Sequence, residues 1–221
     1  MDRWLQEIKK VDFKEEFINY PFYIISSPFK GFSDLKYEKR GKSYFAVVMM
    51  AVISVLAIAD ALYKGFVLSG GYYTENKQIN TIYLIFMSIA PVALFVVANW
   101  SITCITNGNG KMRDIFMVYA YALYPKVLLS IIGLITSNIV TMDESAMAIF
   151  FYSFGSVAFA FYLFIGLITI HEYNFTQGIV MILFTIVSMC IIVFVIALFL
   201  SLSNEVIVFF RTIYQEIMLK L

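Results

Sequence analysis

From residue 43 onward the chain alternates between long apolar runs and short polar joints. Five runs, 44–63, 79–104, 115–137, 146–170 and 179–202, are mostly apolar, and each meets the length of about 20 residues that a helix needs to cross a bilayer. The joints, SGGYYTENKQ, TNGNGKMRD, SNIVTMDES and HEYNFTQG, carry turn and capping residues. Gly70-Gly71 and Asn107-Gly108-Asn109-Gly110 break helices. Asp143 and Glu144 precede the fourth run, where negative charge suits the positive end of a helix dipole. No strand-like alternation lasts long enough for a barrel strand set. The pattern predicts an all-α polytopic membrane protein with five transmembrane helices.

The flanks differ from the runs. In residues 1–42, Trp4, Ile8, Val11 and Ile18 fall near one helical face. This predicts an amphipathic helix, with Lys9, Lys10 and Lys14 open to anionic lipid or with the apolar face packed on a partner. Pro21 and Pro28 predict an extended stretch after it. At the other end, Val206, Phe210, Ile213, Tyr214, Ile217 and Leu221 recur at helical spacing, while Arg211, Gln215 and Glu216 fall off that stripe. This predicts a second amphipathic helix, lying on the membrane surface. The chain therefore divides into a polar head, 1–42, a five-helix domain, 43–202, and a surface helix, 203–221.

Composition adds orientation. Of 221 residues, 61% are hydrophobic and 14% charged, against about 25% charged in soluble domains. Sixteen Lys/Arg nearly balance fifteen Asp/Glu, so charge gives no reason to expect nucleic acid. Nine basic residues precede residue 43. Lys30, Lys36, Lys39, Arg40 and Lys42 stand before the first run, and Lys111 and Arg113 in the second joint. Basic residues beside a span stay in the cytoplasm, so the expectation is a cell-membrane protein with its N-terminus cytoplasmic and its C-terminus outside. The polar first 42 residues do not read as a signal peptide. Cys104 and Cys190 suggest neither a disulfide framework nor a metal site.

The only histidine, His171, precedes Glu172 as in the helix motif of zinc proteases. That motif needs a second histidine at its fifth position; here the position is Phe175. Ser156 lies fifteen residues before His171, about 22 Å along a helix and far beyond hydrogen-bond reach. Asp60 is the only aspartate inside a span, so an aspartyl dyad is also missing. No catalytic residue, metal site or cofactor is expected. His171-Glu172 reads as a polar helix end, or as a pair that meets the joint holding Asn107, Gly108, Gly110, Lys111 and Arg113 and, with it, a partner protein.

Inside the membrane, Lys126 is the costly group, at about 2.5 kcal/mol or more near a helix centre. It follows Pro125, which leaves the Tyr121 carbonyl without its helical donor. Asp60 and Asn99 are the other polar candidates, with Trp100 and Thr103 at the edge of the second helix. Pro91 and Pro125 lie seventeen residues either side of Gly108. Paired interruptions at one depth can form a transporter's midplane site, and can equally make room for packing; Lys126 can serve such a site or lock the bundle. The small pairs Ala57/Ala61 and Ser156/Ala160 would allow close helix approach.

Three stretches carry a resemblance: PFKGFSDLKYEKRG before the first span, WSITCITNGNGKMRDIFMVYAYALYPKVLLS across the second-to-third hairpin, and GLITIHEYNF closing the fourth. The chain resembles a bacterial member of the Yip family, the Ypt/Rab-interacting membrane proteins that share the Yip domain. The run Tyr121-Ala122-Leu123-Tyr124-Pro125 is its most specific piece, and the likeness covers roughly residues 25–202. It implies five transmembrane helices, a cytoplasmic N-terminus and a short C-terminus outside. Eukaryotic relatives are linked to Rab GTPases, vesicle transport and membrane shaping, without known catalytic residues. Bacterial relatives often lie beside carbohydrate ABC-transporter components. The resemblance thus implies a non-enzymatic protein of the lipid bilayer that works through a membrane-protein partner or as a homo-oligomer, an ABC-transporter component being one candidate partner. An accessory or permease-like role with a midplane site near Lys126 is the alternative.

Overall fold

A computed structural model describes residues 14–65, 68, 79–106 and 108–220. Trp4, Ile8 and Val11 of the expected N-terminal amphipathic helix lie outside the described residues, as do Gly70-Gly71, Asn107 and Leu221. A π-helical turn, Glu15–Asn19, leads into α1 (Tyr20–Ser26) and α2 (Pro28–Tyr37). Then come α3 (Ser43–Tyr63), α4 (Thr81–Thr106), α5 (Met112–Ser137), α6 (Ser145–His171) and α7 (Phe175–Lys220). Among the described residues five helices, α3 to α7, are long and apolar enough to cross a membrane. Their bounds follow the apolar runs because a backbone in hydrocarbon must satisfy its hydrogen bonds within its own helix.

The third of these, α5, is the central helix and the most buried of the five. Its most extensive contact is with α6, and α3 and α4 also pack on it. The longest helix, α7, joins the bundle chiefly through α4. The α5–α6 seam closes on small residues: Gly133 of α5 faces the Tyr152 ring, and Gly155 of α6 rests on Leu129 and the Lys126 backbone. The expected pair Ser156/Ala160 is instead exposed; the seam uses Gly155, the residue before it. Neither proline interrupts its helix: α4 runs on through Pro91 and α5 through Pro125. The broken helices of a transporter-like midplane are therefore not found here.

The head differs most from expectation. Pro21 and Pro28 do not extend the chain; each stands in the first positions of a helix, where its missing N–H costs nothing. Only Ser27 between them leaves helical geometry (φ −142°, ψ 72°). The short α1–α2 pair turns one apolar face inward, so that Ile24, Phe32 and Leu35 are almost fully buried, while Phe22 and Phe29 stay exposed. The Tyr121 ring stacks on Phe45 with centroids 4.2 Å apart, and Tyr20 meets its edge at 5.3 Å. The Tyr162 hydroxyl of α6 donates to the Ile25 carbonyl at 2.9 Å. The end of the bundle that carries this pair is called the head end below.

Opposite the head end, Ser137 Oγ accepts the Gly65 N–H at 3.1 Å, and Asn138 donates to the Tyr63 carbonyl at 2.8 Å. These bonds tie the far ends of α3 and α5. The expected surface helix 203–221 is not set off by a break. It continues the fifth span as one helix, Phe175–Lys220, because no glycine or proline follows Gly178. Its 46 residues rise about 69 Å, against about 30 Å of hydrocarbon.

At Gly166 a Cβ would overlap Val118 and press on the Phe32 ring, so α2, α5 and α6 meet there with no room to spare. Gly166→Val is expected to cost about 1–3 kcal/mol through overpacking. The loss should appear as a lower thermal midpoint in detergent, with faster protease cleavage within 28–42 than in the wild-type protein.

Candidate functional site

The helix α6 stops at His171 because Glu172 takes the left-handed conformation (φ 61°). Its N–H and that of Tyr173 both turn back to the Ile168 carbonyl, which closes the helix end as a glycine usually would. The turn folds the Tyr173 ring over His171, centroids 5.3 Å apart and nearly parallel. The Tyr173 hydroxyl reaches Thr106 Oγ1 at 2.6 Å, which fastens the end of α6 to the end of α4.

His171 is 2% exposed and sits among three elements. The Gly110 N–H donates to Nδ1 at 3.2 Å. That nitrogen is an acceptor, so a neutral ring carries its proton on Nε2, which faces Asn99 Oδ1 at 3.2 Å. The Asn99 amide then donates to Thr185 Oγ1 at 3.0 Å and to Met181 Sδ at 2.8 Å. The Thr185 hydroxyl in turn donates to the Met181 carbonyl at 2.8 Å. The chain of bonds runs from the 108–111 loop through α6 and α4 to α7, and each buried polar group in it is satisfied. Gly108 and Gly110 are glycines for space: a Cβ at either would overlap His171, and at Gly108 the Tyr173 hydroxyl as well.

Beside this buried chain lies a surface cluster. Glu172 Oε1 takes both the Lys36 ammonium and the Tyr37 hydroxyl, and Oε2 accepts from Asn109 at 3.0 Å. Head, loop and α6 end thus share one carboxylate. These hydrogen bonds, led by that from Lys36, pull the Glu172 carboxyl down to about 2 from its usual 4.5. Lys111 is exposed, and its N–H is held at 3.3 Å by Asp114 Oδ2 at the start of α5. Arg113 donates from Nε to Ser43 Oγ at 2.7 Å, so the first turns of α3 and α5 are joined.

Of the residues singled out from sequence, Gly108, Gly110, His171 and Glu172 therefore come together, with Lys111 and Arg113 at the rim; Asn107 lies outside the described residues. Asn99 belongs to this group, as the partner of His171. The other members of the expected intramembrane set do not converge. Asp60 accepts from the Tyr152 hydroxyl at 2.6 Å and pairs with Lys64 at 3.5 Å, not with Lys126. Tyr121 and Pro125 are buried, Tyr121 in the aromatic stack near the head, and the Lys126 ammonium lies 5.5 Å above the Phe159 ring. Lys36, Tyr37, Asn109, Tyr173 and Thr185 complete the cluster and were not singled out. Asn109 stands inside the glycine motif and Thr185 is a polar residue in an apolar run, so both left a trace; Lys36 and Tyr37 join only because α2 folds back.

Two outcomes follow. Asn99→Leu strands the His171 Nε2–H and takes away the donor to Thr185 Oγ1, at a cost of about 1–3 kcal/mol; the thermal midpoint should drop and exchange at the Gly110 amide should quicken about tenfold or more, since 1.4 kcal/mol is a decade. For Glu172, the lowered carboxyl value means that its contribution is fully present above about 4.5 and fades as pH falls toward about 2. Contact between head and loop, followed by a distance probe between residues 30 and 111, should therefore hold from pH 8 to 5 and loosen below. Glu172→Gln should leave that contact weaker and nearly independent of pH over the same range.

A family model described as the Yip1 domain matches residues 22–198. Comparison with curated proteins and with solved structures finds no match. The matched segment takes in most of α1, all of α2, the hairpin with its glycine loop and the His171 turn, along with the first half of α7. With most of its length so matched and five helices fit to cross a bilayer, the chain is a multi-pass membrane protein and belongs to the Yip1 domain family.

Proposed function

We propose that this protein is a non-enzymatic scaffold of the cell membrane whose head end faces the cytoplasm and there binds a membrane-protein partner or organises the bilayer. The observation that carries this reading is the Glu172 junction, where head, glycine loop and α6 end are fastened into one surface by Lys36, Tyr37 and Asn109. A surface assembled from three separate segments and held by a buried hydrogen-bond chain is rigid enough to present side chains in fixed positions. Both nitrogens of His171 are engaged, so the one imidazole of the chain is held in place as a support of this surface.

Charge marks the rim. Three ion pairs form among the described residues: Lys36–Glu172, Arg40–Glu38 and Lys64–Asp60. Lys30, Lys39, Lys42, Lys111 and Arg113 have no carboxylate within 4 Å among those residues. These unpaired cations favour the cytoplasmic side and suit an acidic partner surface or anionic headgroups. A component of an ABC transporter remains the partner suggested by the family resemblance.

The test is co-purification from native membranes in mild detergent. Lys30→Glu with Lys111→Glu, two exposed residues whose ammonium groups hold no ion pair among the described residues, is expected to cut the recovered partner at least about fivefold without lowering the thermal midpoint, whereas Arg211→Glu at the end of α7 changes nothing. An unchanged partner set in the double variant would sink the reading. Thiol labelling at Lys30→Cys and Ser203→Cys should report opposite sides of the membrane; the same side for both would refute the orientation.

A further inference from the structure

Lys126 lies fourteen residues from Met112 and eleven from Ser137 on α5, about 21 Å and 16 Å from its two ends. Four methylenes are too short to carry an ammonium across the remaining half-thickness of about 15 Å to the headgroups. The residue is only partly buried. Its backbone seats Gly155, and its ammonium rests over the Phe159 ring at 5.5 Å. Among the described residues no carboxylate and no hydrogen-bond acceptor takes it. A ring face offsets a fraction of the charge, yet a lysine at this depth costs about 2.5 kcal/mol or more, and such residues generally pair with an opposite charge or a backbone carbonyl.

Among the described residues the chain has no counter-charge to offer at this depth. Asp60 already accepts from Tyr152 and pairs with Lys64. On α7 the acids are Glu205 and Glu216; Glu205, the nearer, stands thirty residues from Phe175, about 45 Å along the axis and past any span. A second copy therefore has no free carboxylate at the right depth among the described residues. The face around Lys126 is built to receive something polar as well as apolar. Tyr119, two turns toward the head end, packs edge-on against the same Phe159 ring at 5.1 Å, and its hydroxyl has no hydrogen-bond partner among the described residues.

We infer that Lys126, with Phe159 and Tyr119 beside it, is a docking site for a transmembrane helix of another protein that carries an aspartate or glutamate near its centre. Pairing removes an uncompensated charge from hydrocarbon on both sides, so the carboxylate supplies selectivity and the surrounding aromatic face supplies packing. The site is independent of the surface around Glu172, being set in the membrane-spanning part of the bundle.

The experiment uses the full chain in phosphatidylcholine vesicles with fluorescent leucine-rich transmembrane peptides, and reads association by energy transfer. One peptide carries a central Asp, one a central Leu, and one an Asp in its last turn. The central-Asp peptide is expected to associate at least about tenfold more tightly than the other two, because only it can neutralise the buried ammonium. Lys126→Met should erase that preference and Lys126→Arg should keep it. Equal association of the three peptides with the wild-type protein would overturn the inference, a comparison that needs no variant to fold. A preference that survives in Lys126→Met would overturn it equally.

Discussion

A polar group buried among apolar side chains must find a partner inside the protein, and one chain of hydrogen bonds meets that demand at the head end of this bundle. Gly110, His171, Asn99 and Thr185 each give or take what the next requires. Removing any one strands its neighbours, each at about 1–3 kcal/mol. The chain also fixes geometry: it sets the depth of the glycine loop against α6, the tautomer of the imidazole, and the register of α7 beside α4. The placement of the surface cluster around Glu172 follows from these choices.

Two kinds of packing divide the remaining work. Helices α5 and α6 approach through glycines at 133 and 155, where small side chains let dispersion contacts accumulate. Near the head, aromatic rings carry the load instead. Phe45, Tyr121 and Tyr20 form a stacked and edge-on set that draws α1 against the spans. The amphipathic head pair thereby becomes part of the core, and two of its donors, the Lys36 ammonium and the neighbouring Tyr37 hydroxyl, reach Glu172 from a fixed support. Mechanical continuity between head and loop is what makes a composite binding surface physically reasonable.

The two halves of the molecule answer the polar demand differently. At the head end polar side chains interlock across four segments. Opposite it, Asp60 is answered locally by Lys64 and by Tyr152, and backbone groups of 63–65 are answered by Ser137 and Asn138. Between them Lys126 has a ring and, among the described residues, no counter-ion. The last helix adds a further asymmetry, since most of α7 beyond its contact with α4 is exposed apolar surface, as a lipid-facing helix would be.

The apolar runs alone determined the number of spans and, for the first four, their bounds to within a few residues, because helix length is dictated by the membrane and by internal hydrogen bonding; the end of the fifth was not legible, since its helix runs on to Lys220. They also determined where the polar turns fall, and a glycine loop facing a His-Glu pair was legible as a candidate site. Tertiary structure decided what those residues touch. Lys36 and Tyr37 enter the site only because α2 folds back, Asn99 leaves the expected midplane group for His171, and Asp60 is taken by Lys64 and by Tyr152 of α6. Pro21 and Pro28 start helices, since a proline's effect depends on whether its missing N–H would have had a partner. Periodicity records which face of a helix is apolar and how long it runs, whereas which polar groups meet depends on helix rotation and on distant segments, quantities that no local spacing encodes.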